Sequence, residues 1–472
     1  MKKFGIYFAK PFFLSWLAFP LLLAACTSQR SEDQLPGPAS KVAKPLSDAD
    51  ECHAFIASLP QDYIHDWITT AEDPQIPLGP KLQIFYYGRI SHGVTPILFL
   101  NGGPSENSHY SFKSLTDKDH APAGWSSAPI LFMDQRGTGC SSPYPQGDSD
   151  EITARLRLYG SSGIIADAEA IRQKLFGSQP WKIFGHSYGG WIVHRYVVAA
   201  PESVTSAFSA SNVIDPDPIE RLTNRIFSQN RVLQEYLWQY STDVEALTVL
   251  NKSLKTGTCF PSDRARPRRC GLAAILPLVE QVGFVRKWPW VHSWLKVLVK
   301  NGSMDSSKIN DFINKLIFQR ASDPLNQKAW PSSVITYYDR GLPEFDRPTC
   351  EKIYERLRSR GENPENYLLH ECMVSMEFPD DPARRALRQQ KFDNLARTFG
   401  VNTLTINALS AALAKVPLLG FYLYSGQLDS LVPVENFAPE TSALGTRVHY
   451  TNFTGSGHET YLYDDVASDI LK

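Results

Sequence analysis

Residues 181–190 read WKIFGHSYGG, and this stretch decides the fold. Its apolar start predicts a buried β-strand, and WIVHRYVVAA at 191–200 predicts the helix that follows. Between them, residues 185–189 fit the pattern G-x-S-x-G, in which the glycines let strand and helix approach closely around a tight turn. Ser187 would stand on this strained turn with its hydroxyl exposed, as a nucleophile requires; the alternative is a serine that only caps the helix.

Strands and helices alternate on both sides of this turn. Helical patterns cover about 162–176 and roughly 459–471. Such alternation predicts a mostly parallel sheet, and strands that are apolar almost throughout fit a sheet covered by helices on both faces. The other β-like runs lie at 82–88, 96–100, 129–133, 417–426 and 446–455.

The middle of the chain has a different character. From about 215 to 400 the pattern is helical, with many aromatic and charged residues and few strand signals. A chain of 472 residues has room for a large catalytic domain with one sizeable insertion. We therefore predict an α/β core in two parts, residues 48–214 and 401–472, with a helical cap over 215–400 inserted between them.

The N-terminus has the features of a targeting segment. Lys2 and Lys3 give it a positive start, and an apolar stretch follows at 11–23. This stretch is too short to span a membrane and is interrupted by a proline, so residues 1–25 are predicted to be a signal peptide.

The end of that segment, LAAC at 23–26, resembles the lipobox of bacterial lipoproteins. The resemblance implies cleavage before Cys26, lipid on that cysteine, and a cell-envelope protein anchored to a membrane through its N-terminus. The alternative is an ordinary signal peptide. Thr27, where some lipoproteins carry Asp, favours the outer membrane. Residues 26–47 are polar and without apolar periodicity, as expected of a flexible tether.

The number of cysteines and the net charge of the chain indicate which bonds and binding partners to expect. Beyond Cys26 six cysteines remain, and an even number in an exported chain predicts disulfides, with buried free thiols as the alternative. Lys plus Arg total 48 against 49 Asp plus Glu, so the chain lacks the basic excess of nucleic-acid-binding proteins. No CxxC pair supports a structural zinc site, and we predict no metal and no cofactor. Proximity in the sequence favours the pairs Cys259–Cys270 and Cys350–Cys372, which leaves Cys52 with Cys140.

A nucleophilic serine needs a base and a carboxylate that orients the base, and in this strand–turn–helix context the chain order is Ser, acid, His. His458 follows a Gly-Ser-Gly turn after a predicted strand, and it is the histidine at a strand-end loop that comes after an acid candidate. That acid is Asp429, which follows an earlier strand; the alternative is an exposed turn aspartate. Asp464 and Asp465 come after His458, in the wrong order.

Acyl transfer also requires hydrogen-bond donors for the oxyanion. The backbone N–H of Tyr188, directly after the nucleophile, is one candidate. The other is Gly103 in the loop NGGP at 101–104, which ends an early strand. The alternative for this loop is a plain Gly-Pro turn.

Three segments together resemble the proline iminopeptidase and tripeptidyl aminopeptidase family of α/β-hydrolases. They are NGGPS at 101–105, DQRGTGCSSP at 134–143 and GHSYGG at 185–190. The first departs from the family's usual HGGPG, because Asn101 replaces the His and Ser105 the last Gly. The resemblance covers the core and extends poorly into the cap.

The resemblance implies an α/β-hydrolase fold with a helical cap. It implies a serine peptidase that releases N-terminal residues from short peptides through an acyl-enzyme, and a cap acid that binds the free α-amino group. Glu377, in MVSMEFPDD at 373–381, is the candidate, with Glu371 as a competitor. For either one, the alternative is a solvated charge or an ion pair. Trp288, Trp290 and Trp294 would line the pocket or form the core of the cap.

Two other functions remain open at the level of sequence. An esterase acting on small esters would use the same serine, acid and histidine. A catalytically silent cell-surface protein that binds through its cap is the second. The Ser–Asp–His set in the right order argues against it, and the altered Asn101 and Ser105 keep it open. The sequence does not indicate an oligomeric state.

Overall fold

A computed structural model describes most of residues 48–471. The predicted signal peptide, Cys26, the tether of residues 26–47 and Glu377 lie outside the described residues. The other positions outside the description are 92, 118–120, 215–216, 256–258, 261–268, 271–275, 301–302, 305–328, 342–346, 369, 374–381 and 472.

Eight strands form a single sheet in the order β1-β2-β4-β3-β5-β6-β11-β12. β2 is antiparallel to both of its neighbours, and the pairs from β4 to β12 are all parallel. This mostly parallel sheet, flanked by helices, is an α/β-hydrolase fold, and it confirms the predicted fold class. The strands are β1 (Ile64–Ala71), β2 (Lys81–Gly88), β3 (Ile97–Leu100), β4 (Ile130–Met133), β5 (Trp181–His186), β6 (Val204–Ala210), β11 (Gly420–Gly426) and β12 (His449–Phe453).

Five described helices precede or lie between the first six strands, and further helices follow. The first group is α1 (Asp48–Ala57), α2 (His109–Thr116), α3 (Asp150–Leu156), α4 (Ser161–Phe176) and α5 (Tyr188–Ala199). Between β6 and β11 come α6 (Pro218–Gln239), α7 (Asp243–Lys255), α8 (Leu276–Val282), α9 (Trp288–Leu298), α10 (Ala329–Arg340), α11 (Arg347–Ser359), α12 (Pro382–Phe399) and α13 (Ile406–Lys415). α14 (Ala438–Leu444) and α15 (Asp464–Leu471) complete the chain as described.

The side chains of the sheet alternate between two apolar layers. Ile183 of β5 belongs to the layer packed by α4 and α5, whereas the next residue, Phe184, belongs to the opposite layer with Trp125 and Tyr461. Both residues are fully buried. Helices therefore cover the sheet on two faces, as the nearly continuous apolar strands predict.

The structure corrects the sequence prediction at three elements. β1 was not predicted because IHDWITTA is an edge strand with mostly exposed side chains. β6 was not predicted because VTSAFSA has small residues in place of large apolar ones. The last helix begins at Asp464 and not near 459, since Thr460–Leu462 form a separate 3-10 turn.

Helices α6 to α9 build an apolar cluster of their own. β6 and β11 are neighbours in the sheet, so the whole segment between them is an excursion from it. Trp288 is buried in the cluster and donates Nε1–H to the carbonyl of Val282, while Trp290 and Trp294 pack against it. Of the two roles left open for these tryptophans, Trp288 therefore has the structural one. Two short pairs, β7 (Cys259–Phe260) with β8 (Arg269–Cys270) and β9 (Val299–Lys300) with β10 (Ser303–Met304), lie in the same segment.

Two of the predicted disulfides are formed. Cys52–Cys140 joins α1 to the loop after β4, and Cys350–Cys372 lies within the helical segment. β7 and β8 pair with Cys259 opposite Cys270 in backbone register, and this third pairing stays a prediction. Disulfides are typical of exported proteins. In the part of the chain that the structure describes, no helix is both long and apolar enough to cross a membrane.

Candidate active site

Ser187 lies at the sharp turn between β5 and α5. Its backbone has φ 57° and ψ −118°, a strained conformation for a residue with a Cβ. Its N–H donates to the carbonyl of Ala210 at 2.9 Å, and Asn212 Nδ2 donates to its carbonyl at 2.6 Å. The neighbouring strand β6 and the loop after it thus hold the turn in place.

Two glycines of the motif allow this turn to pack. A Cβ at Gly189 would lie 1.9 Å from the carbonyl oxygen of Leu100, and one at Gly185 would lie 2.1 Å from the carbonyl oxygen of Gly189. Neither position can hold a side chain without moving backbone. The G-x-S-x-G pattern is therefore required by the close approach of β3, β5 and α5.

Asp429 and His458 meet beyond the ends of β11 and β12. Asp429 Oδ2 lies 2.9 Å from His458 Nδ1, and both side chains are buried. Asp429 Oδ1 accepts the backbone N–H groups of Leu431 and Val432, each at 2.9 Å. Burial alone would raise the pKa of Asp429, but the charge and hydrogen bond of His458 and these two N–H groups hold it below its usual value.

The main chain of His458 is fixed on both sides. Its carbonyl oxygen accepts His186 Nε2–H at 2.7 Å and the hydroxyl of Ser211 at 2.8 Å, and its N–H donates to the carbonyl of Gly283 at 3.0 Å. His186 precedes the nucleophile candidate, so this hydrogen bond joins the loop of His458 directly to the turn of Ser187. Burial and the charge of His458 lower the pKa of His186 to about 3.

The loop of residues 101–105 lies against the same turn. A Cβ at Gly102 would be 3.3 Å from the Cβ of Ser187. Gly103 follows with φ 102°, a conformation that favours glycine. The two oxyanion candidates, Gly103 and Tyr188, thus belong to the two segments that meet at Ser187.

The two departures from the family's loop both have structural roles. Asn101 Nδ2 donates to the carbonyl of Asn107 at 2.9 Å, and Asn101 Oδ1 accepts the hydroxyl of Ser111 at 2.6 Å. Ser105 takes φ 76°, the left-handed conformation that glycine would hold, and donates to the hydroxyl of Tyr144 at 3.1 Å. The altered loop is therefore an ordered one.

The segment DQRG at 134–137 supports this loop. Gln135 Nε2 donates to the carbonyl of Asn101 at 2.9 Å. Arg136 forms two buried hydrogen bonds with Asp167, at 2.8 and 2.7 Å. Asp134 accepts the N–H and hydroxyl of Ser108. These contacts give the segment an architectural role beside the loop of residues 101–105.

Among the described residues, His109, Asp134 and Cys140 are a possible metal-ligating group, with ligand atoms within 4.8 Å of one another. Cys140, however, is in a disulfide with Cys52. The carboxylate of Asp134 already accepts hydrogen bonds from Ser108, His109 and the backbone of Cys140. The group is therefore explained as a structural network.

The helical segment reaches the site at two points that the sequence did not reveal. The hydroxyl of Ser228 in α6 donates to the carbonyl of Asp429 at 3.1 Å. A Cβ at Gly457 would lie 2.4 Å from the carbonyl oxygen of Gly283, which accepts the N–H of His458. The only sequence signal for this close approach of Gly283 is Gly457, the second glycine of the Gly-Ser-Gly turn before His458.

The structure describes only one of the two cap acids that were predicted to bind the α-amino group of the substrate. Glu377 lies outside the described residues. Glu371 is half-buried and forms an ion pair with Arg225 of α6. Another acid that the sequence did not reveal is Asp339, which accepts the hydroxyl of Tyr188 at 2.5 Å and the N–H of Ser161 at 2.8 Å.

Part of the chain is similar to known proteins of the α/β-hydrolase fold. Residues 95–265 match the family described as alpha/beta hydrolase fold. A proline iminopeptidase of Aeromonas sobria is 28% identical over 141 residues, which cover 28% of this chain and 31% of that protein. One from Aspergillus aculeatus is 29% identical over 180 residues, covering 34% and 38%. The matched segments span about a third of the length of these curated relatives.

Among solved structures, a proline iminopeptidase of Mycobacterium smegmatis aligns with a TM-score of 0.41 at 12% identity, over 84% of this chain and 93% of that one. The family match and the curated relatives support a hydrolase of the α/β fold.

Proposed function

We propose that this protein is a serine hydrolase that cuts short peptides near a free N-terminus. The observation that carries the proposal is the buried pair of Asp429 and His458, tied through His186 to the strained turn of Ser187. Because Asp429 occupies Nδ1 of the imidazole, Nε2 is left to act on a serine hydroxyl.

The proposed reaction is acyl transfer. The Oγ of Ser187 attacks the carbonyl carbon of the scissile bond, and His458 Nε2 takes the hydroxyl proton. The N–H groups of Tyr188 and Gly103 bind the oxyanion. His458 returns the proton to the leaving amine, the acyl-enzyme forms, and water then releases the acyl group by the same steps.

Peptide specificity rests on two kinds of support. The segments at 101–105, 134–143 and 185–190 resemble the aminopeptidase family, and two curated relatives are proline iminopeptidases. Esterase activity on small esters is the second candidate, since the same three residues would perform it. Attachment to a membrane through lipid on Cys26 is proposed from the sequence resemblance alone.

A hydrolysis panel tests the proposal. The full chain, purified in detergent, is given arylamides of one to three residues with free N-termini, the same compounds with blocked N-termini, and short-chain aryl esters. We expect turnover of the free arylamides, loss of it on blocking, and a fall of about 10⁴-fold or more in Ser187→Ala. Ser359→Ala, which changes an exposed serine on α11, is the matched control and should retain full activity.

The other outcomes of the panel are equally informative. Turnover of esters alone would support the serine, acid and histidine but refute the peptidase assignment. Equal rates for Ser187→Ala and wild type, with every substrate, would refute the catalytic proposal.

A further inference from the structure

An arginine that follows Asp339, the hydrogen-bond partner of Tyr188, has buried donors without a partner among the described residues. Arg340 ends α10, and its Nε and Nη2 are buried without a partner among the described residues. Its guanidinium lies over the ring of Trp191, with 5.3 Å between the Cζ atom and the ring centroid. A buried charged donor that is left unpaired is costly, so such a group usually has a ligand or a function.

The helix that carries Arg340 lies across the active-site loops. Near its start, the hydroxyl of Ser332 donates to the carbonyl of Pro104 in the loop that follows β3. At its end, Asp339 accepts the hydroxyl of Tyr188, the residue after Ser187. Arg340 is the next residue, and Trp191 beneath it is one turn along α5 from Ser187.

The dense surroundings of Arg340 desolvate its guanidinium, yet part of the residue remains accessible to solvent. Burial, and then the charge of Arg221, lower the pKa of Arg340 well below its ordinary value. A guanidinium still keeps its proton at neutral pH, so loss of the charge does not relieve the cost of burial. The nearby carboxylate of Asp339 offsets part of that cost.

Two further guanidinium groups lie near Arg340. Arg221 and Arg225 project from α6, four residues apart and therefore on one face, and both repel the charge of Arg340. Arg225 is paired with Glu371, and Asp339 directs one carboxylate oxygen to Tyr188 and Ser161. Together with Arg340, the described residues here include three guanidinium groups and two carboxylates, Asp339 and Glu371.

We propose that Arg340, with Arg221 and Arg225 facing it, binds a carboxylate of the substrate. The substrate class is therefore short peptides that carry a carboxylate within reach of Ser187, either an acidic side chain or the free C-terminus. A planar guanidinium is suited to this role because it can donate two parallel hydrogen bonds to a carboxylate. This inference rests on the proposed peptidase function for its choice of ligand.

The test uses two series of peptides with free N-termini. In the first, Glu is exchanged for Gln at each position; in the second, the C-terminal carboxylate is exchanged for an amide. The full chain should prefer the carboxylate in one series by about 30-fold in kcat/KM, and that series identifies the source of the carboxylate. Arg340→Met should bring this ratio close to one, and Arg340→Lys should restore part of it.

The matched control is Arg358→Met. Arg358 also lies over an aromatic ring, that of Tyr354, but it is half-exposed on α11 and paired with Glu365. This variant should keep the preference of the wild type. An equal preference in Arg340→Met and wild type, or no charge preference of the wild type in either series, would overturn the inference.

Binding separates this inference from the proposed function. Calorimetry of the carboxylate and amide peptides with Ser187→Ala needs no turnover. If Ser187→Ala binds the carboxylate peptide more tightly and the additional change Arg340→Met removes the difference, the anion site stands even where the wild type cleaves neither peptide. If cleavage is confirmed but the two peptides bind Ser187→Ala equally, the peptidase stands and the carboxylate site is refuted.

Discussion

Two walls of the proposed active site differ in whether their buried charged groups have hydrogen-bond partners. The catalytic wall is the set of loops after β5, β11 and β12 that carry Ser187, Asp429 and His458. There, the main-chain N–H and carbonyl of His458 and both carboxylate oxygens of Asp429 have hydrogen-bond partners. The arginine wall is formed by α6 and α10, and its Arg340 has buried donors without a described partner.

The difference indicates which interactions are formed before the substrate binds. A network with every member satisfied holds a side chain in one position, as general base catalysis requires. An unsatisfied buried charge is instead available to a ligand, which then supplies the missing partner. We infer that the hydrogen bonds that position Asp429 and His458 are complete in the free protein, whereas the arginine wall is completed by the substrate.

The largest effect that this comparison predicts is on the orientation of the base. Asp429→Asn should lower kcat by about 10⁴-fold, because an amide cannot hold the imidazole in the same tautomer or stabilise its charged form. The assay is the rate with the best substrate of the hydrolysis panel.

The matched control for that change is Asp465→Asn. Asp465 is exposed on α15 and follows His458 in the chain. It should retain the wild-type rate. A fall in Asp465→Asn as large as that in Asp429→Asn would show that the acid of the site has been misassigned.

The next prediction concerns stability in acid. The pKa of His186 falls to about 3 in the folded protein from a usual value of 6.5, so the unfolded chain binds the proton more readily. The free energy of unfolding should therefore decrease progressively as the pH falls from about 6.5 toward 3. His186→Gln should reduce this decrease, as measured by urea unfolding at pH 7 and pH 5.

The helical segment offers a comparison for the same measurement. Burial lowers the pKa of His370 to about 4, so His370→Gln should also reduce the loss of stability in acid. His53→Gln, at an exposed position on α1, is the control. The interpretation fails if the wild type and His186→Gln lose stability equally between the two pH values.

The smallest predicted effect is on the strained turn. Ser187→Gly removes the Cβ from a backbone with φ 57° and ψ −118°, and should raise the free energy of unfolding by about 1 kcal/mol relative to Ser187→Ala. Denaturant unfolding of the two variants measures the difference. Equal stability would mean that the catalytic wall stores no strain at this residue.

Most of the catalytic wall could be predicted from the sequence because its signals are local. WKIFGHSYGG carries a strand, a turn and a helix start within ten residues, and Asp429 and His458 each follow a readable strand. The glycines at 185 and 189 are required by packing within a few ångströms of the motif itself. The predicted fold class followed from the same local alternation of strands and helices.

The arginine wall could not be predicted because its contacts join distant parts of the chain. Arg340 and Trp191 belong to α10 and α5, which are far apart in the chain, and no motif marks either residue. Gly283 reaches His458 in the same way, and the hydrogen bond from His186 to His458 spans 272 positions. Local periodicity predicts which residues form a helix, but not which helix lies over the site.

The most direct test of the central claim is to identify the nucleophile chemically. The full chain is treated with a fluorophosphonate, which loses fluoride when an activated serine attacks its phosphorus atom, and the modified peptide is located by mass spectrometry. We predict one adduct, on Ser187, and a much slower reaction in His458→Ala. An adduct on a different residue, or no adduct on a folded wild-type chain, would contradict the account.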